Sequence, residues 1–111
     1  MMNFEIEIRH VGRHTILKTL GEIELQNVEE VSEEIWKAIT ESDSSLIIDL
    51  TEIKYVDSSG IGVLVTAHKR MKEKKGDFAL LGVPEDLLKV LKLSDLDRYF
   101  TIYQSESEIL P

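Results

Sequence analysis

A short apolar run near the middle of the chain sets the strongest limit on its fold. Leu46-Ile47-Ile48-Asp49-Leu50 is almost uninterrupted by polar residues and follows the polar connection 41–45. Such a run is typical of a strand that is buried on both faces, as in a sheet with helices above and below it. The sequence therefore predicts an α/β fold with this strand at the centre of the sheet.

Patterns on either side of this strand complete the prediction. Residues 4–9 alternate apolar and charged side chains, and with the apolar stretch 14–20 they predict an antiparallel hairpin. The other predicted elements are strands over 78–83 and 99–103 and helices over 28–40, 59–75 and a short stretch from Pro84. We predict a single α/β domain over residues 1–111, with a mixed sheet of four to five strands covered by helices.

Signals at the helix ends agree with these bounds. Asn27 is a plausible N-cap of the first helix, and Gly76 suits the left-handed conformation that ends many helices. Pro84 fits the first position of the third helix, where its missing N–H has no cost.

The second helix has a clear apolar face. Its residues at spacings of three and four, which we expect against the sheet, are Ile61, Leu64, Val65, His68 and Met71 or Lys72. Val63 lies about 100° further round the helix than Leu64, so we expect it to be exposed and available to a partner.

Composition excludes several classes of protein. The formal net charge is −8, from 21 acidic and 13 basic side chains, which opposes binding to the phosphates of nucleic acid. No apolar run approaches the roughly 20 residues needed to span a bilayer, so we expect a cytoplasmic protein without a membrane partner. There is no cysteine, and His10, His14 and His68 show no repeated ligand spacing, so we predict no metal and no cofactor.

The junction between the central strand and the second helix carries the candidate chemistry. Asp57-Ser58-Ser59-Gly60 places two hydroxyls beside a carboxylate at the C-terminal end of a strand, where α/β proteins place their sites. These residues could simply cap the helix, or they could form a site in which the helix N-terminus tolerates an anion. Residue pattern alone leaves both possibilities open.

Three segments together resemble a known family. Gly21-Glu22-Ile23-Glu24, the central strand 46–50 and the stretch 57–64 are similar to the anti-sigma factor antagonists, a branch of the STAS domains. The resemblance implies a small bacterial cytoplasmic protein that binds an anti-sigma factor serine kinase and releases sigma factor. It also implies that the kinase switches binding off by phosphorylating a serine, and that a serine phosphatase restores it.

The resemblance also implies roles for individual residues. Ser58, directly after Asp57, matches the phosphoacceptor of the family, with Ser59 as the alternative. Glu24 stands where the family usually has aspartate, a change of one methylene in a partner-contact loop. The expected partner-binding residues are Glu22, Glu24, Asp57, Ser58, Ser59, Gly60, Gly62 and Val63. Local chemistry predicts Ser59 as the N-cap, which leaves Ser58 as the free hydroxyl.

The sequence also bears on two other classes of function. Catalysis is disfavoured because neither G-x-S-x-G nor G-x-x-x-x-G-K-[ST] is present, and His68 lies about two and a half helical turns from Ser58. The sequence therefore predicts a binding protein and not an enzyme. The alternative is a STAS-type scaffold or interaction module without regulated phosphorylation, which would accept no phosphate from any cognate kinase.

Overall fold

The chain folds around one five-stranded mixed sheet, and the structure, a computed structural model, describes residues 3–109. Its elements are β1 (Phe4–Val11), β2 (His14–Ile23), α1 (Val28–Glu41), β3 (Ser45–Val56), α2 (Ser58–Glu73), β4 (Asp77–Leu81), α3 (Glu85–Leu93), β5 (Thr101–Tyr103) and a 3-10 turn (Glu106–Glu108). The predicted α/β class and mixed sheet are confirmed.

The order of the strands in the sheet follows their order in the chain. β1 and β2 form the predicted antiparallel hairpin, and β2, β3, β4 and β5 run parallel to one another. β3 is therefore the central strand, and residues 45–50 of it are all buried, as the apolar run predicts. Asp57 follows this strand directly, so the candidate site lies at the C-terminal end of the sheet's central strand.

The helices cover only one face of the sheet, so the expectation of helices above and below is wrong. Ile48 and Leu80 belong to the core that includes the three helices, whereas their neighbours Ile47 and Leu81 belong to a smaller cluster with Ile109. Each parallel connection steps in the same direction across the sheet, and connections of one hand then place every helix on the same side. The second face of β3 is buried by the C-terminal segment instead.

The buried face of α2 is wider than its apolar spacing predicts. Gly60, Val63, Leu64, Ala67 and Met71 are buried, while the predicted Ile61, Val65 and His68 are half-buried. Val63 is only 9% exposed, so its predicted exposure is wrong. The reason is that α2 contacts α1 as well as β3 and β4, which buries a broader arc of its surface.

Of three predictions about helix ends, the N-cap position of Asn27 is confirmed and the other two are wrong in detail. Asn27 stands at the N-cap position of α1, but its side chain makes no capping hydrogen bond. Lys75, not Gly76, takes the left-handed conformation after α2, with φ of 62°. Gly76 donates its N–H to the Met71 carbonyl at 2.8 Å, as in a Schellman motif. Pro84 occupies the N-cap position, one residue before α3 begins.

Apolar residues of the predicted strands and helices form the core. Ile35, Ile48, Leu50, Leu64 and Leu80 are buried. Leu88 is half-buried on α3, where Leu87 and Leu91 face the core instead. The short α3 therefore presents a different line of its apolar residues to the sheet.

Candidate functional site

The carboxylate of Asp57 organises the start of α2. Asp57 is the N-cap, and its Oδ1 accepts the backbone N–H of Ser59 at 2.9 Å and that of Gly60 at 3.1 Å. The prediction that Ser59 is the N-cap is wrong because the helix begins at Ser58, one residue earlier than expected. Two of the orphan amides of this helix end are thereby satisfied by one side chain.

The two serines differ in what their hydroxyls do. The Ser59 hydroxyl donates to Asp57 Oδ1 at 2.5 Å, and its side chain is half-buried. Ser58 is exposed, and its hydroxyl makes no hydrogen bond with any residue in the described range 3–109. Ser58 is thus the open hydroxyl of the pair, and Ser59 is held by the carboxylate rather than by the backbone.

The second oxygen of Asp57 reaches a different part of the chain. Oδ2 accepts the backbone N–H of Leu25 at 3.0 Å, and the Asp57 N–H donates to the Ile23 carbonyl at 3.1 Å. The hydrogen bond from the Ser59 hydroxyl is the main cause that lowers the pKa of Asp57 below its ordinary value. The amides of Gly60, Leu25 and Ser59 act in the same direction, against the opposing effect of burial. Asp57 is therefore a carboxylate at neutral pH.

The loop between β2 and α1 is held by two asparagines. Asn3 donates to Glu22 Oε2 at 2.8 Å and to Glu24 Oε1 at 3.2 Å. Asn27 is only 4% exposed; its Oδ1 accepts the Glu24 N–H at 2.9 Å and its Nδ2 donates to the Glu22 carbonyl at 2.8 Å. The structure thus places Glu22 at the end of β2 and Glu24 in the loop that Leu25 joins to Asp57.

The glycines of the motif have different roles. A Cβ on Gly60 would lie 2.7 Å from Val56 Cγ1 and 2.8 Å from Ile23 Cγ2, so the start of the helix approaches the sheet closely at this glycine. Gly62 is exposed, and a Cβ there would meet nothing within 4 Å. Gly62 lies on the open side of the helix, whereas Val63 is turned inward and is only 9% exposed.

Two exposed apolar residues beside the serines were missed by sequence reasoning. Leu25 is 75% exposed and Tyr55 is 55% exposed. Tyr55 and Val90 line a cavity of about 200 Å³ between the end of β3 and α3. The signal for Leu25 was present, because it is an apolar residue within a polar loop. Nothing in the local pattern distinguished Tyr55 from a packed residue.

Two of the histidines contact other side chains within the fold. The His68 ring lies 4.4 Å from the Tyr99 ring, and burial lowers the pKa of His68. His14 Nδ1 lies 2.7 Å from Ser45 Oγ. Among residues 3–109, no group of three or more histidine, aspartate or glutamate side chains is placed to hold a metal ion. In the same range no helix is long and apolar enough to cross a membrane.

Comparison with known proteins agrees with this fold and this motif. The family model of the STAS domain matches residues 5–109. The chain is 30% identical over 109 residues to the anti-sigma-B factor antagonist of Listeria monocytogenes, covering 97% of this chain and 96% of that protein.

Solved structures show the same architecture. An anti-sigma-factor antagonist (STAS) domain protein from Planctomyces limnophilus matches with a TM-score of 0.82 and 25% identity, covering 94% of this chain and 93% of that one. The phosphorylated form of SpoIIAA from Bacillus matches in fold, with a TM-score of 0.71 and 22% identity, covering 95% of this chain and 96% of that one. Because the family match spans nearly all described residues and the Listeria relative matches over almost its full length, the chain belongs to the anti-sigma factor antagonist branch of the STAS domain family.

Proposed function

We propose that this chain binds an anti-sigma factor that is a serine kinase, and that this binding releases a sigma factor. Phosphorylation of Ser58 by the kinase ends the binding, and a serine phosphatase restores it. The observation that carries the proposal is the contrast between the two serines. Ser58 is exposed with a free hydroxyl among the described residues, whereas the Ser59 hydroxyl is bound to Asp57 at 2.5 Å.

The residues around Ser58 supply a surface for the kinase. Leu25 is an exposed apolar residue, and the hydrogen bond from its N–H to Asp57 fixes it beside the serine. Glu24 in the same loop and Glu22 at the end of β2 add negative charge. A kinase that phosphorylates Ser58 must contact this surface, so binding and modification use one face of the molecule.

A phosphate on Ser58 changes this face strongly while leaving the fold intact. It adds roughly −1.5 to −2 charges beside the Asp57 carboxylate. The amides of Ser59 and Gly60 already donate to Asp57, so they do not bind the phosphate. The positive end of the α2 dipole lies at the same place and stabilises a negative charge there. A partner fitted to a neutral hydroxyl meets both the charge and the volume of the phosphate and dissociates.

Protein relatives give this switch a precedent within the fold. The phosphorylated form of SpoIIAA is a protein of the same architecture that carries phosphate. The proposed activity is binding alone, and it requires no catalysis, cofactor, nucleic acid or membrane. The net charge of −8 agrees with a protein partner. Because sigma factors act in transcription, the proposal assigns the chain to the bacterial cytoplasm.

Phosphate uptake is the first test. The protein is incubated with the candidate serine kinases of its host and ATP, and intact mass and peptide mapping locate the phosphate. We expect one phosphate on Ser58, none in Ser58→Ala, and unchanged uptake in Ser59→Ala. Phosphate mapped to Ser59 in the wild-type protein would mean that Ser59, and not Ser58, is the phosphoacceptor.

Partner binding is the second test, measured with the same kinase by calorimetry. Ser58→Ala should keep the affinity of the unmodified protein, because a methyl group neither repels the partner nor accepts phosphate. Ser58→Asp should weaken binding only in part, since a carboxylate has less charge and volume than phosphate. If no host kinase transfers phosphate to either serine, the scaffold alternative replaces the switch.

A further inference from the structure

The two edges of the sheet differ in how open they are to another strand. β5 contributes only three residues to one edge, which is a common way to keep an edge from pairing. β1 contributes eight residues to the other edge and pairs with β2 without interruption from Phe4 to Val11. It contains no proline and no bulge, and the charges that it does carry, on Glu5, Glu7 and Arg9, alternate with apolar residues.

The backbone of β1 presents unused hydrogen-bonding groups along this edge. The Asn3 carbonyl accepts the Glu22 N–H at 3.0 Å, so these two residues form a hydrogen-bonded pair. Such pairs recur at every second residue, so Glu5, Glu7 and Arg9 also direct their backbone groups toward β2. In an antiparallel ladder the intervening residues point their N–H and C=O groups outward. The outward residues are Phe4, Ile6, Ile8 and His10, and no strand within residues 3–109 pairs with them.

The surroundings of the edge are apolar at the strand and acidic on the helix. Phe4 and Ile6 line an open cavity of about 470 Å³ together with Glu30, Glu33 and Glu34 of α1. Further along the strand Ile8 is 50% exposed. Glu30 and Glu33 make no ion pair with any other described residue.

We propose that the β1 edge binds an extended basic segment of a partner protein, which adds as a sixth strand. Its backbone pairs with the outward groups of β1, its apolar side chains cover Ile6 and Ile8, and its lysines or arginines meet the glutamates of α1. A second copy of this chain is a poor occupant. Antiparallel pairing of two β1 edges would bring two acidic α1 helices to the same side, on chains that each carry a net charge of −8.

The part of this edge from Ile6 to His10 is separate from the serine site, whereas Phe4 pairs with Gly21, next to Glu22. Ile8 pairs with Leu17, and the chain runs six residues further along β2 to Ile23, whose carbonyl accepts the Asp57 N–H. At about 3.3 Å per residue, Ile8 therefore lies about 20 Å from the strand end beside which α2 and Ser58 begin. The edge stays available whether or not Ser58 is phosphorylated, so the proposal does not depend on the proposed switch.

The test uses a synthetic basic strand and reads the outward amides directly. The probe is a capped peptide of about seven residues in which lysine alternates with valine, a length typical of a strand. Hydrogen exchange by NMR is measured at saturating peptide. We expect the amides of Ile6 and Ile8 to exchange at least about tenfold more slowly, because bonded amides are protected from exchange. The inward amides of Glu5 and Glu7 are the internal control and should change little.

Matched peptides and variants separate strand addition from attraction between charges. N-methylation of alternate residues gives two peptides of equal charge, and we expect only one of them to lose binding, since only one set of amides faces β1. Ile8→Pro removes an outward donor without breaking the β1–β2 ladder and should weaken binding. If that variant fails to fold, Glu30→Gln combined with Glu33→Gln provides an independent test and should also weaken it. Ser58→Asp should bind the peptide with the same affinity as the wild-type protein.

Three outcomes would overturn the proposal. The first is that the amides of Ile6 and Ile8 keep their exchange rates while the peptide is bound. The second is equal binding of both N-methylated peptides, which would leave charge as the whole explanation. The third is a dimer of the protein alone in which these amides are already protected, which would make a second copy the occupant.

Discussion

The backbone N–H of Leu25 donates a 3.0 Å hydrogen bond to Asp57 Oδ2, although 32 positions separate the two residues in the chain. The other carboxylate oxygen caps α2 and holds the Ser59 hydroxyl. One side chain therefore ties the β2–α1 loop to the start of the serine helix. The partner surface proposed around Ser58 consequently behaves as one unit, in which a change at Asp57 disturbs both segments.

We expect Asp57→Asn to destabilise the protein at neutral pH and much less in acid. The pKa of Asp57 is lowered in the folded state, mainly by the Ser59 hydroxyl, so its stabilising effect is present above the ordinary aspartate pKa of about 3.9. That effect is lost as the pH falls through the lower pKa of the folded state. Urea denaturation of both proteins between pH 7 and strongly acidic pH measures the difference. The exposed Asp43→Asn is the matched control, and a difference that persists in strong acid would contradict the assignment.

Gly60 and Gly62 should respond in opposite directions to alanine. Gly60→Ala should lower the free energy of unfolding by about 1–3 kcal/mol, because its Cβ would overlap the side chains of Val56 and Ile23. Gly62→Ala should raise it by about 0.4–1 kcal/mol, because the site is open and alanine favours a helix interior. Chemical denaturation of the pair checks this, and equal effects would mean that the start of α2 does not approach the sheet closely.

Leu64 and Leu88 give a test of the core. Leu64 is fully buried against the sheet, so Leu64→Ala should lower the free energy of unfolding by about 2–5 kcal/mol. Leu88 is only half-buried on α3, so Leu88→Ala should lower it by clearly less. Equilibrium unfolding in urea measures both variants, and a loss below about 0.5 kcal/mol for Leu64→Ala would be typical of a surface residue instead.

His68 should make the protein less stable as the pH falls below neutrality. Burial, and next the charge of Lys72, lower the pKa of His68 in the folded state. The unfolded chain then binds more protons below its histidine pKa of about 6.5, so stability falls as the pH drops through that range. His68→Phe should flatten this dependence in denaturation measured from pH 8 to pH 5.

His14 contributes to the same pH dependence of stability as His68. Burial lowers the pKa of His14 as well, so the flattening by His68→Phe is partial and a variant changed at both positions should flatten further. The exposed His10→Gln is the matched control. A pH dependence that His68→Phe leaves unchanged would show that the ring is not the responsible group.

The sequence by itself determined the local features of this protein. The apolar run 46–50 predicted the central strand, alternation in 4–9 predicted the hairpin, and the stretch 57–64 predicted a helix that begins at a carboxylate and two serines. These predictions succeeded because strand pairing and helix formation depend on periods of two and of 3.6 residues, which are visible in the chain. The resemblance to the family was also visible in the sequence, because the motif is the contiguous stretch 57–64.

Only the tertiary structure decided which of these residues is free to act. It turned Val63 inward, left Leu25 and Tyr55 exposed, and made Asp57 rather than Ser59 the cap of α2. Val63 is buried because α2 packs against α1 as well as the sheet, and the Leu25 loop reaches Asp57 across 32 positions. Local periodicity shows which side of a helix is apolar, but burial and hydrogen-bond partners are set by whichever segment packs against that side.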